Sequence, residues 1–278
     1  MAEVIDRDAL VALLDFHVAA GVDLALDEAP HDRFAEAEAE RRGPPDTAKD
    51  TAGAEPRGPV AQPRPVLPAA ATAPPDEIAA DARRRAATAA TLAELEAIVA
   101  AFDGCSLKAT AKQLCFADGT PGSRVMLLGE APGAEEDRSG RPFVGRAGQL
   151  LDLMLAAIDL DRTGVYIANV VPWRPPGNRT PTPQEVATCL PFTLRQIELA
   201  APEIVVTLGT PATQTVLEVK DGITRTRGRW FDREIGGRPL RVLPMLHPAY
   251  LLRQPLHKRF AWRDLRLLKA ALDARQEP

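Results

Sequence analysis

Three short apolar runs, each closed by a different polar side chain, constrain this chain most. VMLLG (125–129) runs into Glu130, VYIAN (165–169) ends on Asn169, and VLPML (242–246) runs into His247. A fourth run, IVVTL (204–208), stops at Gly209. Apolar runs of this length bounded by Gly and Pro read as buried strands. Helical patterns fall between them, over 146–158, 183–200 and 210–218, and a last one runs over about 257–273. Pro183 suits a helix start and Gly209 a strand end. Strands alternating with helices mean βαβ units and a parallel sheet covered on both faces. The expected fold is therefore α/β: a three-layer α/β/α sandwich around a central four-stranded parallel sheet, with strands at 124–128, 164–168, 204–208 and 240–245. In such a sheet every strand opens onto the same carboxyl edge, where open α/β folds bind ligands.

The remaining chain divides by composition. Residues 8–28 read as a helix, with Leu10, Leu13, Leu14 and Val18 on one face, inside an acidic helical segment spanning 1–40. Residues 41–76 are rich in Pro and Ala without any period, the pattern of a flexible, disordered linker. A helix over 77–102 then opens the compact domain, 77–278. No apolar run approaches the ~20 residues of a membrane span. The acidic start MAEVIDRDAL lacks the basic opening of a signal peptide. Three cysteines form no disulfide framework. A cytoplasmic protein, monomeric and without a membrane partner, is expected.

Net charge is −4, which taken alone argues against a nucleic-acid partner. Its distribution reverses that. Residues 1–55 carry 14 acids and 5 basic residues, whereas 223–269 carry 12 basic residues and 3 acids. Local charge sets phosphate affinity. The segment around His247 reads equally as a cationic binding surface and as a solvated face of ordinary ion pairs.

The loop 129–148, GEAPGAEEDRSGRPFVGRAG, is dense in Gly and Pro directly after a strand, which permits close backbone approach to a ligand. It matches neither GxGxxG nor a Walker A loop, so a nucleotide cofactor has little support. Glu130 stands at the strand edge and reads as an acid or base; Glu135 reads as solvated. Phe143 reads either as a plate for stacking a base or as a core plug. Asn169 offers one acceptor and two donors, which fit a pyrimidine edge, though a turn asparagine is the plainer reading. Asn178 reads as a turn residue. Of the histidines, 17, 32 and 257 look incidental, while His247 lies at the strand edge beside a loop of Tyr250, Leu251, Leu252 and Arg253. Two leucines next to an arginine suit a wedge into a duplex, or alternatively the packing of the last helix. No HxH, HExxH or paired CxxC occurs.

These residues together resemble the type-4 members of the uracil-DNA glycosylase superfamily. The resemblance covers about 102–270 and rests on GEAPGAEEDRSGRPFVGRAG, YIANVVPWRPPGNRTPTP, VVTLG, ITRTRGRW and HPAYLLR in that order. It implies a DNA repair enzyme that flips uracil out of DNA and hydrolyses its N-glycosidic bond, leaving an abasic site in base excision repair. It implies uracil-containing DNA as partner and a place at the nucleoid. Carried over, it gives Glu130 the task of orienting water or stabilising the sugar cation. Phe143 would stack on the base, Asn169 would read its edge, and Gly129 would lie against it. His247 would donate a hydrogen bond to O2, and Tyr250, Leu251, Leu252 and Arg253 would meet the DNA.

The chain departs from its relatives in two ways. Type-4 members bind a 4Fe-4S cluster through four cysteines, and cluster binding needs thiolates at all or nearly all corners. Phe102 stands at the first ligand position here, Cys105 at the second, Trp173 at the third and Cys189 at the fourth, with Cys115 at none. No cofactor is expected, and Cys105 and Cys189 read as small buried remnants. The resemblance also puts Ala131 and Gly133 where type-1 relatives carry an aspartate and a methyl-blocking tyrosine, so thymine would be excluded by other groups, with Glu136 as one candidate. Competing readings are a covalently trapping uracil-DNA binder, a non-catalytic DNA-binding module tethered through its N-terminal helix to a protein partner, and a broad-range glycosylase for deaminated bases. The trapping relatives carry a histidine in the loop after the asparagine strand, which here reads RPPGNRTPTP.

Overall fold

The computed structural model describes residues 74–274. The expected helix at 8–28 and residues 41–73 of the expected linker lie outside the described residues; the last two linker positions, Pro75 and Asp76, already belong to the first helix. β2 (Val125–Gly129), β3 (Val165–Asn169), β4 (Ile204–Leu208) and β6 (Arg238–Met245) form a parallel ladder in the order β3-β2-β4-β6. The fold class read from the sequence holds. The strand count does not, because two antiparallel edge strands flank the ladder: β1 (Asp118–Gly119) beside β3, and β5 (Phe231–Ile235) beside β6. The sheet thus has six strands. β5 and β6 make a hairpin through Gly236 and Gly237, both at positive φ, a Gly-Gly turn whose sequence signal was legible.

Alternation along each strand builds two cores. Met126, Leu128, Tyr166, Ala168 and Val205 face one way. There they meet α1 (Pro75–Thr88), α2 (Leu92–Ala101), α5 (Pro183–Ala200) and α6 (Thr210–Leu217). Val125, Leu127, Ile167, Val206 and Leu243 face the other. There they meet α4 (Arg146–Ala156), α8 (Pro248–Arg253) and α9 (Lys258–Asp273). Each large side chain so buried contributes about 1.5–3 kcal/mol.

Three expectations need correcting. The helix expected over 77–102 is two, α1 and α2. Thr91 caps the second by accepting from Glu94 N at 3.2 Å, while Glu94 Oε2 accepts from Ala90 N at 2.7 Å. This reciprocal cap satisfies the orphan amides of a new helix start and so breaks the run. The loop 129–148 contains a short helix, α3 (Ala134–Ser139). The segment expected as a loop after His247 is α8, with Pro248 at its first position. None of the helices among the described residues is long and apolar enough to cross a membrane.

A buried ion pair ties the sheet to the last helix. Asp264 on α9 is 1% exposed and accepts from Arg227 Nε at 3.0 Å and from its Nη2 at 2.5 Å. Arg227 also donates to Phe260 O at 2.6 Å. It follows α7 (Ile223–Thr226), and Gly228 N bonds Pro244 O on β6 at 3.0 Å. Arg227→Met strips Asp264 of its partner and is expected to destabilise the fold by about 3–5 kcal/mol. Urea unfolding measures it; a loss below about 1 kcal/mol would show that water reaches Asp264 and that the pair does not anchor α9.

Candidate active site

The parallel register decides what meets at the carboxyl edge. Gly129 of β2 pairs with Asn169 of β3, and Leu208 of β4 with Met245 of β6. The residues just past those ends, Glu130, Gly209 and His247, therefore come together with Asn169. They line one cavity of about 520 Å³, with Gly133, Glu136, Phe143, Thr180, Tyr250 and Arg253 also on its wall. Its size falls in the range of small-molecule sites.

Phe143 is held there under strain. Its φ is +55°, in the left-handed region that costs a non-glycine residue about 1–3 kcal/mol. Arg162 donates from Nη2 to its carbonyl oxygen, and a Cβ at Gly148 would lie 1.7 Å from that oxygen. Glu136 completes the frame. Its Oε2 accepts from Gly133 N at 3.0 Å, and its Oε1 accepts from Val144 N and Gly145 N, each at 3.0 Å. One carboxylate thus fixes the loop on both sides of Phe143. The ring is 5% exposed and lies 5.5 Å from the His247 ring at an interplanar angle of 29°. Phe143 thus lines the cavity and at the same time packs in the core beneath it.

Burial without a partner marks the polar residues. Among the described residues, the buried side-chain oxygens lacking a hydrogen-bond partner are Glu130 Oε1 and Asn169 Oδ1. Native interiors pair such atoms almost always, so two orphans on adjacent strand ends point to a ligand. Close approach is built in here too, since a Cβ at Gly129 would lie 2.4 Å from Asn169 Oδ1. Burial raises the Glu130 carboxyl above its ordinary range, and a hydrogen bond from the Thr180 hydroxyl partly opposes that.

His247 caps α8, its Nδ1 accepting from Ala249 N at 3.1 Å. A nitrogen that accepts carries no proton, so the hydrogen of the neutral ring is on Nε2. Burial, helped by the nearby Arg253 charge, pulls its pKa down to about 4. At neutral pH the cavity thus receives an uncharged N–H donor.

Sequence reasoning missed several residues. Thr180 reaches the cavity because the next helix start is tightly stitched. Thr182 and Glu185 form a capping box, and Arg179 forks onto Glu185 at 2.7 and 2.8 Å. Glu185 is held down to about 2 by that guanidinium. The TPQE string carried this signal. Asn178, read as a turn, is one at φ +55°, accepting from Arg174 Nε at 2.7 Å, and it also lines the cavity. His257, read as incidental, shares a 2.7 Å hydrogen bond with the Tyr250 hydroxyl on the cavity wall. Glu135 is exposed, as read. Of the two leucines expected at the duplex, Leu251 is 1% exposed, whereas Leu252 is partly exposed. The helical period turns Leu251 into the core, where it joins Leu151 and Leu265. Arg253 is exposed at the mouth.

The cluster positions do not fit an iron-sulfur centre. Cys105 and Cys189 lie 3.7 Å apart, Sγ to Sγ, both buried. The other two corners are Phe102 and Trp173, each 2% exposed, with Phe102 packed edge-on against Phe192 at 5.0 Å. Neither supplies a ligand. Cys115 is buried elsewhere, its Sγ 3.1 Å from Glu136 O and its thiol pushed up to about 12 by burial. Among the described residues no group of three or more His, Cys, Asp or Glu side chains is placed to hold a metal.

Comparison with known proteins agrees with the geometry. The family described as the uracil DNA glycosylase superfamily matches residues 116–266, the span that carries every cavity residue. The chain is 45% identical over 150 residues to a type-4 uracil-DNA glycosylase of Thermotoga maritima, covering 54% of this chain and 77% of that one. It is 41% identical over 155 residues to the type-4 uracil-DNA glycosylase of Archaeoglobus fulgidus, covering 54% and 78%. Against the Pyrobaculum aerophilum protein of the same description the figure is 37% over 168 residues, covering 59% and 86%. With a family match across the whole cavity-bearing sheet and relatives of this identity, the chain belongs to the uracil DNA glycosylase superfamily.

Proposed function

We propose that the protein is a uracil-DNA glycosylase of DNA repair, hydrolysing the bond between uracil and deoxyribose. The observation that carries this reading is the pairing of two orphan oxygens, on Glu130 and Asn169, with a neutral Nε2–H donor on His247 in one cavity. A base inside a duplex is out of reach of such a cavity, so the nucleotide is extruded first. Phe143 supports the base face. The Asn169 amide reads its polar edge, with Gly129 leaving room. Cleavage builds negative charge on the base and positive charge on the sugar. His247 donates to the base oxygen that gains charge, and the Glu130 carboxylate faces the sugar cation or its attacking water. Both act in a site shielded from water, where such terms are strongest. Glu136 holds the loop that carries Phe143, and by narrowing the cavity it helps to keep a methylated base out.

In this reading residues 77–278 are the catalytic unit and work as a monomer at the nucleoid, without a cluster. Residues 1–40 offer a docking element for a protein partner, and 41–76 serve as its tether.

Excision from a uracil-containing oligonucleotide, scored by alkaline cleavage of the abasic site, tests the reaction. His247→Ala is expected to lower turnover by about a hundredfold or more, with duplex affinity within about twofold. Equal losses in both would take His247 off the catalytic list.

The imidazole itself gives a second test. Because its pKa sits at about 4, His247 is expected to keep the Nε2–H form across roughly pH 5 to 8 in long-range proton–nitrogen spectra. The unfolded ring titrates near about 6.5. The sign of the stability effect follows: His247 costs nothing above that pH and withdraws stability as pH falls towards about 4. A ring that titrates within the neutral range would overturn the neutral-donor role.

Elemental analysis tests the cofactor reading. Active protein is expected without stoichiometric iron. About four irons per active chain, lost together with activity on chelation, would contradict it.

A further inference from the structure

Two buried thiols lie outside the cavity wall and take no part in its chemistry. Cys105 and Cys189 are 84 residues apart in sequence, yet their sulfurs meet at 3.7 Å. They do so in a core that also holds Phe102, Trp173 and Phe192. A disulfide needs about 2.0 Å between sulfurs, so closure takes a shift of about 1.7 Å shared by two side chains. Cys189 is fixed within α5. Cys105 stands on extended backbone, φ −99° and ψ 119°, between α2 and a 3-10 turn, Ser106–Ala109. The Cys105 side lies outside regular structure, so it is the side that yields.

The two sulfurs are not equivalent. Cys189 donates its S–H to Cys105 Sγ. That bond holds the Cys105 thiol below its ordinary range; burial opposes it, and the amides of Leu107 and Lys108 assist. The same bond, with burial, pushes the Cys189 thiol up. Access differs in the same sense. Cys189 is 0% exposed and Cys105 3%, but Asp103 and Ser106 on either side of Cys105 are exposed, so Cys105 lies just beneath the surface. A small oxidant therefore meets Cys105 first, with Cys189 directly behind it as a resolving thiol. Cys115 is the contrast. Its sulfur bonds a backbone oxygen, Glu136 O, at 3.1 Å, and burial pushes its thiol up to about 12.

We propose that Cys105 and Cys189 are an oxidation site, at which hydrogen peroxide converts the pair into a reversible disulfide that staples the segment after α2 to α5. In the first step Cys105 sulfur attacks peroxide. The O–O bond breaks, an S–O bond forms, and Cys105 becomes a sulfenic acid with release of one water. In the second step Cys189 sulfur attacks Cys105 sulfur. The S–O bond breaks, the S–S bond forms, and a second water leaves with the remaining thiol proton. Two electrons pass from the sulfurs to peroxide, and a dithiol reductant returns them. The bridge closes a long loop, which removes freedom from the unfolded chain and so favours the folded one. The inference is independent of the glycosylase reading.

The test treats the full chain with hydrogen peroxide, quenches it, and counts free thiols after denaturation, with peptide mapping to place any bridge. Wild type is expected to lose two of its three thiols, to yield a Cys105–Cys189 cross-linked peptide, and to recover all three with dithiothreitol. The bridged form is expected to melt about 5 °C or more above the reduced one. In Cys189→Ala the resolving thiol is gone, so Cys105 is expected to run on to sulfinic acid. In Cys105→Ala the Cys189 thiol is expected to survive the same treatment. Reduced melting temperatures check that both variants fold, and the wild-type thiol count decides the bridge without them. Three free thiols after peroxide, or a bridge through Cys115, overturns the pairing. An unchanged melting temperature in the bridged form overturns the staple. Loss of the Cys189 thiol in Cys105→Ala as fast as wild type loses its pair overturns the order of attack.

Discussion

The site depends on parallel register. Four strands run the same way, so their carboxyl ends lie side by side, and the Gly129–Asn169 pairing fixes which residues those are. A slip of one residue would reverse the facing of a whole strand. Here both faces are apolar, so a slip would exchange one core for the other. The pattern resists it because the two cores differ in size. Tyr166 needs the side of Gln196, whose Nε2 lies 3.0 Å from its hydroxyl. That buried bond, absent from the other face, locks β3 in phase, and Asn169 with it.

Around that rigid edge the loops hold residues in states a free chain would avoid. Phe143 sits at positive φ, Glu130 is half-buried with an oxygen unpaired, and His247 is kept neutral. Each state is maintained by neighbours outside the reaction. Glu136 and Arg162 brace Phe143, Thr180 steadies Glu130, and the Ala249 amide selects the His247 tautomer. The capping box of α5 performs the same service at a distance. By pinning Arg179 to Glu185 it sets where Thr180 stands.

Particular residues show what was legible in the sequence. The four parallel strands were readable because each is a short apolar run with its own stop. Glu130, Asn169 and His247 were readable because polar residues at such stops emerge together. The edge strands were not: β1 has only two residues, and β5 carries three charged residues in a row, Asp232, Arg233 and Glu234, on an edge where burial is partial. Leu251 was misjudged because a segment opening with His-Pro reads as a loop, whereas Pro at the first position favours a helix whose period carries that leucine inward. His257 was passed over because its partner, Tyr250, lies seven residues away across a turn, and sequence spacing alone does not disclose that meeting.

The same contrast governs how α1 and α2 are attached. In a cluster-bearing relative four thiolate bonds would staple this region. Here Phe102, Trp173, Cys105 and Cys189 meet as apolar bulk in the core that also takes up Leu95 and Val99. Arg195 adds a directional clamp, with its Nε and Nη2 both donating to Ala89 O, at 3.1 and 2.7 Å, across the break between the two helices. Dispersion and hydrophobic burial are spread over many contacts, so no single thiolate holds the cover in place. The cover also packs on the face of the sheet opposite α4, α8 and α9. Apolar packing on that side holds the cover to the sheet without touching what its carboxyl edge presents. Apolar side chains at two of the four corners and Glu130, Asn169 and His247 at the carboxyl edge are therefore physically compatible in one chain.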